Sequence, residues 1–495
     1  MPDIKIHFKD HVNVIIECDD SIAWELREYF TFFVPGYQFM PAFKNKIWDG
    51  KIRLFDIRFK TLPKGLLYRL ETFCNERDYH FVYNYEEYEN EISLKEAEEF
   101  IASLNEEHTA REYQILGFAK AIRKKRILLL SPTSSGKSKI IYDIIRKFES
   151  NQLTKKGLII VPTVQLVEQL FKDFNDYSKQ NNWNVDDNVH RVYEGKIKQT
   201  NKFVTISTWQ SIFKMPEEWF AQFDFVFGDE VHTFKAKSLT YIMNSLINAE
   251  YRIGLTGTLD GTLTHKLALE GLFGPTNKLT TLKELMDNKH VSELHIKALM
   301  LKHPKNVCDL AKKWNYQNEI DYLLQSKPRN EFITNLALSL NGNTLVLYRY
   351  VEKHGEVLHQ MIKENLPENK NLHFVAGKTD IEIREQIREI ISKSDNNIFV
   401  ASLGTSSTGL NMPNLHNSIY ASPFKGKIQN LQSLGRGIRL GKSGGKDEHT
   451  LYDIGDDLRS TAKENFALKH FTIRLQTYAS EKLNYKVYKI QLKEK

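Results

Sequence analysis

Four short motifs follow one another in a fixed order and constrain the fold more than any other feature of the chain. They read SPTSSGKS at 131–138, GDEVH at 228–232, LTGTL at 255–259 and QSLGRGIR at 432–439. Any one of them could arise by chance. In this order they predict a phosphate-binding loop, a metal-binding carboxylate with a water-orienting partner, a coupling turn and a distal arginine pair. That combination is typical of a nucleotide-driven motor.

The first motif lies in the context that a phosphate-binding loop requires. A buried-strand pattern, RILLL, precedes it, and a helical pattern, KIIYDIIRKF, follows. Backbone amides at the start of such a helix hold phosphate, Lys137 supplies a point charge, and the Ser138 hydroxyl ligates Mg²⁺. Serine stands at 131 and 134, where related loops often carry glycine. The predicted nucleotide-binding residues of this loop are Thr133, Ser134, Ser135, Gly136, Lys137 and Ser138.

The second motif ends a strand pattern, FDFVF, with two carboxylates. Carboxylates at a buried strand end are costly unless a cation is present, so the pair predicts a metal site rather than an exposed acidic turn. We expect Asp229 to hold Mg²⁺ and Glu230 to orient or deprotonate the attacking water. His232 is interpreted as a relay between the nucleotide and the LTGTL turn, and the alternative is a satisfied core histidine.

Composition places the chain among ordinary globular proteins. Its 495 residues suggest about three domains, and no apolar run is long enough to span a bilayer. The N-terminus has the features of neither a signal peptide nor a transit peptide. Cys18, Cys74 and Cys308 are too far apart for a disulfide framework or a metal cluster. We expect a soluble protein of the reducing cytoplasm, whose net charge of +7 does not by itself identify a nucleic-acid partner.

Positive charge is concentrated in a block at 41–64, which carries seven lysines and arginines against two aspartates, with aromatic residues between them. The pair Asp49-Gly50 is a hairpin signal and predicts a two-stranded ribbon. Such a ribbon could bind phosphates and stack bases, and the alternative is a solvated face over a small core. The candidate nucleic-acid contacts in this block are Lys44, Lys46, Trp48, Lys51 and Arg53.

Strand and helix patterns divide the rest of the chain. Residues 1–85 are predicted to be a small α+β nucleic-acid-binding domain, and 86–107 an acidic linker helix. Short apolar strands alternate with amphipathic helices at 108–285, which carries the first motifs, and again at 286–495. The predicted fold class is therefore α/β, with two tandem doubly wound parallel-sheet domains. After about residue 456 the pattern adds a C-terminal helix and strand, whose role the sequence leaves open.

Residues 108 to about 445 resemble superfamily 2 helicases of the DExH type. The resemblance rests on the four motifs and on further matches that read REYQ (111–114), VPTVQLVEQ (161–169), STWQS (207–211) and LVLYRYVEKHG (345–355). It implies two RecA-like domains, with ATP and Mg²⁺ as cofactors. It also implies that ATP closes the two domains and that hydrolysis opens them, because both contribute to the γ-phosphate site.

The resemblance also implies roles for single residues. Arg111, Tyr113 and Gln114 would contact the adenine, and Thr256 and Thr258 would couple hydrolysis to strand grip. The implied catalytic residues, besides Glu230, are Gln432, Arg436 and Arg439. For the two arginines the alternative is a pair of surface salt bridges. Contacts to the tracking strand are implied for Thr163, Gln165, Thr208, Trp209, Tyr348, Arg349, Gly377, Arg384 and Thr408. The alternative for Trp209 and Tyr348 is a place in the core.

A narrower resemblance, to branched-DNA helicases of T-even phages, extends from residue 1 to 495. It rests on WDGKIRL and LPKGLL near the N-terminus and on LNYKVYKIQL near the end. It implies an ATP-dependent DNA helicase that remodels forks, four-way junctions, displacement loops and RNA-DNA hybrids in recombination, replication and repair. A monomeric phage protein in the host cytoplasm is implied, without a membrane and with recombination or single-strand-binding proteins as partners.

Three other functions stay open from the residues alone. An RNA helicase is possible because grip on a single strand through its phosphates selects poorly between DNA and RNA. The chain could also be the motor subunit of a complex that translocates on duplex DNA. A third candidate is a clamp that binds structured DNA and hydrolyses ATP only to release it. Directional strand displacement would separate a helicase from a clamp.

Overall fold

A computed structural model gives the architecture of the chain. It describes residues 2–86, 91–151, 154–181, 183–234, 237–259, 261–375, 394–403, 414–426, 438, 448–461 and 463–493. These residues form two compact units, one of 1–131 with 136–280 and the other of 132–135 with 281–495. Within the described residues, no helix combines the length and the apolar character needed to cross a membrane.

The N-terminal domain is a small sheet covered by helices. Its elements are β1 (Ile4–Phe8), β2 (Asn13–Cys18), α1 (Asp20–Tyr29), β3 (Thr31–Phe33), α2 (Pro41–Lys44), β4 (Lys51–Arg53), β5 (Thr61–Pro63), α3 (Leu67–Glu76) and β6 (Phe81–Tyr83). The main sheet has the order β5-β2-β1-β6. Alternate residues of β1 and β2 point into the core, where Ile4, Ile6, Val14 and Ile16 are fully buried. The α+β prediction for this domain is confirmed.

The prediction of a hairpin ribbon around Asp49-Gly50 is wrong. The strand after this pair, β4, pairs antiparallel with β3, which lies before the basic block, and α2 occupies the place of the predicted first strand. The turn signal itself is real, because Gly50 has a φ of 81° and Asp49 Oδ1 accepts a hydrogen bond from the Lys51 amide. The local sequence therefore predicted the turn correctly, but it did not predict that β4 pairs with β3.

The first large domain is built on a parallel sheet. Its elements are α4 (Leu94–Ser103), α5 (Glu112–Lys124), β7 (Arg126–Leu130), α6 (Lys137–Ser150), β8 (Gly157–Val161), α7 (Val164–Ser178), α8 (Val185–Asn188), β9 (Val189–Val192), β10 (Val204–Thr208), α9 (Trp209–Ile212), α10 (Glu217–Phe220), β11 (Phe225–Asp229), α11 (Lys237–Ser245), β12 (Tyr251–Thr256), α12 (Leu263–Phe273) and β13 (Thr276–Lys278). The strand order is β13-β7-β12-β11-β8-β10-β9. The central strands are buried on both faces, as continuous apolar runs predict.

The acidic segment before this domain is not a free spacer. Only Leu94–Ser103 of the predicted 86–107 helix is helical among the described residues, and Ser93 and Glu96 close its start with a capping box. Ala97 and Ile101 are buried in the core of the first large domain. The acidic residues of α4 face solvent while its apolar face packs on α5, so the helix belongs to that domain.

The second large domain repeats the architecture. Its elements are α13 (Leu282–Asp287), β14 (Glu293–Lys302), α14 (Lys305–Ala311), α15 (Tyr316–Gln325), α16 (Lys327–Ser339), β15 (Thr344–Tyr348), α17 (Glu356–Glu364), β16 (Asn371–Val375), β17 (Asn397–Ser402), β18 (Asn417–Tyr420), β19 (Glu448–Asp457), α18 (Phe466–Ser480) and β20 (Tyr485–Gln491). The strands run parallel in the order β16-β17-β15-β18-β19-β14-β20. The predicted fold class, two parallel α/β domains after a small α+β domain, is confirmed.

The C-terminal helix and strand complete this second sheet. β20 pairs with β14 at the sheet edge, and α18 packs against β19. Arg474 of α18 is buried and bonds both carboxylate oxygens of Asp453 at 2.7–3.0 Å, and Tyr478 donates to the same carboxylate at 2.8 Å. The last segment is therefore an integral part of the domain.

Candidate nucleotide site and nucleic-acid contacts

The phosphate-binding loop joins the end of β7 to the start of α6. Gly136, directly before α6, has a φ of 78°, which suits glycine. Ser134 has a φ of 72°, a left-handed conformation that costs a non-glycine residue about 1–2 kcal/mol. The serine therefore occupies a backbone position that favours glycine, which explains why related loops often carry glycine there. The amide of Ser134 is kept, as the sequence analysis expected.

Residues at the start of α5 lie against the phosphate-binding loop. The Gln114 side chain is buried, its Oε1 accepts from the Arg111 amide at 2.9 Å, and its Nε2 lies so close to Gly136 that a Cβ there would collide with it. Arg111 Nη1 donates to the Tyr113 hydroxyl at 2.8 Å. The structure thus brings the three predicted adenine-side residues together at the helix start, next to the loop.

The two carboxylates lie at the end of β11, within reach of the loop lysine. Lys137 Nζ is 3.8 Å from Glu230 Oε1, and both side chains are mostly buried. Burial and the neighbouring Glu230 carboxylate raise the pKa of Asp229, while Lys137 acts in the opposite direction. Glu230 has a left-handed φ of 51°, which turns the chain sharply after the strand. A bound divalent cation would relieve this concentration of buried negative charge, so the residues fit a metal site.

His232 connects the carboxylate pair to the LTGTL turn. Its Nδ1 lies 3.0 Å from Thr256 Oγ1 and 3.3 Å from Glu230 Oε2. The Thr256 hydroxyl also lies within hydrogen-bond distance, 3.2 Å, of the Thr258 carbonyl, so His232 is connected to both threonines of the turn. The geometry is the one that a relay between hydrolysis and the turn requires. The relay itself stays a prediction.

Sequence reasoning missed a polar cluster around α6. Ser138 Oγ, the predicted metal ligand, lies 2.9 Å from the hydroxyl of Tyr177 on α7. At the next residue, the buried Lys139 ammonium lies 2.7 Å from both Glu106 and Asp143. The Lys139–Asp143 spacing of four was a visible helix signal, whereas nothing in the sequence linked Tyr177 or Glu106 to the loop.

Two of the predicted strand-grip segments lie side by side. Thr208 at the end of β10 is in register with Val161 at the end of β8, and Gln210 Nε2 donates to the Pro162 carbonyl at 3.3 Å. Thr163 caps α7 by accepting from the Leu166 amide at 3.3 Å. These strand ends share one edge of the sheet with the phosphate-binding loop, the edge where ligands bind in open α/β sheets.

The predicted contact residues at this edge of the sheet differ in how far their side chains are exposed to solvent. Thr208 is buried, and its hydroxyl lies 2.8 Å from Ser211 Oγ. Gln165 in the first turn of α7 is half-buried. Trp209 is also half-buried and packs edge-on against Phe213, with the ring centroids 6.1 Å apart. Trp209 thus has both a core contact and an exposed part.

The second domain places one predicted contact in its core. Tyr348 is fully buried, stacks on Phe374 at 5.7 Å and donates to the Val375 carbonyl, which favours the core-aromatic alternative for this residue. Arg349, the next residue, is exposed. Outside the described residues lie the predicted contacts Gly377, Arg384 and Thr408 and the predicted catalytic residues Gln432, Arg436 and Arg439.

The basic block of the N-terminal domain divides into supporting and exposed side chains. Arg53 pairs with Asp49, and Lys51 lies over the Phe33 ring at 4.9 Å. Trp48 Nε1 donates to the Lys51 carbonyl at 2.9 Å, so these groups help to hold β4 in place. Lys44 and Lys46 are exposed, as is the Arg53 side chain that pairs with Asp49. The apolar side chains of Phe39, Ile47 and Phe59 are also exposed in this part of the domain. They were not predicted as contacts from the sequence.

Comparisons with known proteins agree with these features. A family model described as "DNA helicase UvsW, N-terminal" matches residues 3–84, and one described as "Type III restriction enzyme, res subunit" matches residues 95–261. The ATP-dependent DNA helicase uvsW of Enterobacteria phage T4 is 33% identical over 507 residues, covering 98% of this chain and 98% of that relative. The chain belongs to the UvsW helicase family. The resemblance to superfamily 2 helicases predicted from the motifs is confirmed.

One solved structure and one more distant relative are also similar to this chain. The crystal structure of T4 UvsW aligns with a TM-score of 0.51 at 32% identity and covers 99% of this chain and all of that one. A more distant relative, the DNA 3'-5' translocase XPB2 of Sulfurisphaera tokodaii, is 25% identical over 360 residues, covering 66% of this chain and 78% of the relative. Membership of the UvsW family therefore extends over the whole chain.

Proposed function

We propose that the chain is an ATP-dependent DNA helicase that remodels branched DNA, namely forks, four-way junctions, displacement loops and RNA-DNA hybrids, in recombination, replication and repair. The observation that carries this is the phosphate-binding loop beside a buried carboxylate pair, in a chain that matches a DNA helicase over nearly its full length. An enzyme of this kind from a phage works on DNA inside the infected bacterium, so we place it in the host cytoplasm. We infer that it acts as a monomer, with recombination or single-strand-binding proteins as partners.

The nucleotide site is proposed to use ATP with Mg²⁺. Lys137 and the amides at the start of α6 bind the phosphates, and Asp229 and the Ser138 hydroxyl hold the cation. When bound, the metal neutralises charge on the phosphates and on the carboxylate pair. Arg111, Tyr113 and Gln114 bind the adenine. The hydrogen bond from Arg111 to Gln114 supports this assignment, because it fixes the Gln114 amide before the base arrives.

Hydrolysis is proposed to depend on Glu230, which orients the attacking water and accepts its proton. Lys137 Nζ lies 3.8 Å from Glu230 Oε1, which supports a place for Glu230 beside the γ-phosphate that Lys137 is proposed to bind. As ATP is consumed, a change in charge at Glu230 reaches Thr256 through His232, and the LTGTL turn moves with it. Gln432, Arg436 and Arg439 are proposed to stabilise the charge that develops on the γ-phosphate, as in related helicases.

The strand track is proposed to follow the ends of β8 and β10. Thr163, Gln165, Thr208 and Trp209 supply polar groups and one aromatic face there, which suits a backbone held without regard to sequence. Arg349, Gly377, Arg384 and Thr408 are proposed to hold the strand from the second domain. The exposed lysines of the N-terminal block, Lys44 and Lys46, are proposed to contact the branch.

The ATPase rate with different nucleic acids tests this proposal. It is measured without nucleic acid and with single-stranded DNA, duplex DNA, a four-way junction or single-stranded RNA, with Lys137→Ala as the blank. We expect the junction to stimulate hydrolysis more than linear DNA of equal length does. Stimulation by RNA alone would replace the proposal with an RNA helicase. Hydrolysis stimulated by the junction without any strand displacement would replace it with an ATP-gated clamp.

A further inference from the structure

A groove of about 470 Å³ separates the N-terminal domain from the first large domain, both in the same compact unit. Its walls include Lys64, Tyr68, Tyr83 and Tyr85 on one side and Lys124 and Arg126 on the other. Arg126 is the first residue of β7, whereas the phosphate-binding loop follows the last residue of that strand. The groove is therefore at the opposite end of the strand from the nucleotide site and from the proposed track.

The two domains meet here through close contacts, so the groove has a fixed shape. Gly65 packs so tightly on the backbone of Glu270 and Gly271 that a Cβ would collide with it. Tyr68 donates a hydrogen bond to the Glu270 carboxylate, and Arg126 donates to the His11 carbonyl. These contacts tie α3 to α12, and β7 to the loop between β1 and β2, around the opening.

The groove is strongly positive. Residues 123–126 read RKKR, and among the described residues that line the groove these four and Lys64 carry positive charge, whereas Glu71 carries negative charge. Burial together with Arg126 and Lys64 lowers the pKa of nearby His11 to about 4, in keeping with a positive potential. Lys125 is paired with Glu250 at 2.6 Å, and Lys124 is exposed.

Aromatic rings lie between these charges. The Lys64 ammonium is buried over the rings of Phe8 and Tyr85, at 5.1 and 5.4 Å from their centroids. Tyr83 lies edge-on to Tyr85 at 5.6 Å and is 38% exposed. The Tyr83 hydroxyl donates to Glu71 at 2.5 Å, so the Glu71 carboxylate is engaged by a hydrogen bond. Cations that track phosphates beside rings that stack on bases are the combination with which proteins hold single strands.

We infer that this groove binds a second segment of nucleic acid, a single strand that leaves the branch point, separately from the strand in the motor track. The inference rests on the proposed function and adds to it a second site. The groove volume matches a ligand the size of one or two nucleotides. The exposed Lys124 binds a phosphate, the buried Lys64 adds its charge to the attraction, and Tyr83 stacks on a base. An enzyme that holds two segments of one substrate selects branched over linear DNA through effective concentration.

The test compares a fork with a single strand of equal length by fluorescence anisotropy at several salt concentrations. Lys124→Glu changes an exposed groove lysine, and Lys64→Met removes the buried charge at similar volume. The matched control is Lys155→Glu, an exposed lysine just before β8, at the same sheet edge but with β12 and β11 between it and β7. Circular dichroism and gel filtration check folding of each variant.

We expect Lys124→Glu and Lys64→Met to weaken fork binding by about five- to tenfold and to reduce the salt slope by about one, with a change of less than about twofold for the single strand. Equal losses of affinity for the fork and the single strand would overturn the proposal that the groove binds nucleic acid. Fork affinity equal to that of Lys155→Glu would also overturn it, and this second result is the one expected if the groove binds an acidic protein segment. If no nucleic acid stimulates the ATPase of the unsubstituted protein, the proposed function fails, and this inference fails with it.

Discussion

At the scale of single residues, the site is defined by charges that the fold holds close together before any ligand binds. Asp229, Glu230 and Lys137 are brought together by the end of β11 and the start of α6. Their identity could be predicted from the sequence because loop, strand and helix signals surround each motif. Tyr177 could not, since its contact with Ser138 depends on how α7 packs on α6, which no local pattern encodes.

Replacing Glu230 by glutamine should separate binding from hydrolysis. Glutamine keeps the size of the side chain but cannot accept a proton, so we expect the ATPase rate to fall by at least about 100-fold while ATP still binds. Nucleotide binding and single-turnover hydrolysis measure the two effects. Lys137→Ala is the contrasting variant, because it should lose the affinity for triphosphate. Hydrolysis by Glu230→Gln at the parental rate would remove Glu230 from its catalytic role.

Replacing Asp229 by asparagine should stabilise the ligand-free protein while abolishing Mg²⁺-dependent hydrolysis. The pKa of Asp229 is raised in the folded state, so this carboxyl costs stability as the pH rises above its unfolded value of 3.8. We expect a Tm gain of about 2–4 °C at pH 8 that shrinks toward zero near pH 4. Thermal unfolding without nucleotide or metal measures it. An equal gain at both pH values would contradict the assignment to this carboxyl.

At the scale of elements, periodicity and turn signals predicted the type of each element better than they predicted which elements pair or pack together. The apolar runs of β8, β11 and β12 identify buried parallel strands because nothing else in a globular chain is so uniformly apolar. The partner of β4 could not be predicted, since the turn residues Asp49 and Gly50 do not indicate which strand pairs with the strand that follows them. The packing of α4 on α5 could not be predicted either, because three exposed glutamates accompany the two residues of α4 that are buried, Ala97 and Ile101.

Truncating the apolar face of α4 tests whether this helix belongs to the core. Ile101 is 5% exposed, so Ile101→Ala should lower the free energy of unfolding by about 2–5 kcal/mol. Ile47, which is 79% exposed, supplies a control of the same chemistry, and Ile47→Ala should change it by less than about 0.5 kcal/mol. Denaturant unfolding measures both. Equal stability of the two variants would return α4 to the role of a spacer.

At the scale of the whole molecule, a nucleotide-driven motor is joined to an N-terminal domain with its own exposed cations. The motor could be predicted from ordered motifs. Selection of the branch is proposed to depend on surfaces such as the exposed Lys44 and Lys46, whose arrangement cannot be predicted from composition. The family match over the full chain adds the class of substrate, and the structure adds which cations face solvent.

Reversing these two lysines should weaken branch recognition. Lys44→Glu/Lys46→Glu is expected to reduce junction affinity by about tenfold or more and the salt slope by about two, because up to two phosphate contacts are lost. Lys95→Glu/Lys155→Glu, on exposed lysines of the first large domain, is the matched control. Anisotropy titrations with a four-way junction at several salt concentrations measure both. Junction affinity that matches the control would exclude this block from the substrate site.

The most direct test of the account is strand separation on a synthetic four-way junction, followed over time with ATP and Mg²⁺. We predict that the parental protein converts the junction into its component duplexes only when ATP is hydrolysed, and that Glu230→Gln binds the junction without converting it. Conversion by Glu230→Gln, or ATP turnover by the parental protein without conversion of any branched substrate, would contradict the assignment of this chain as a branched-DNA helicase.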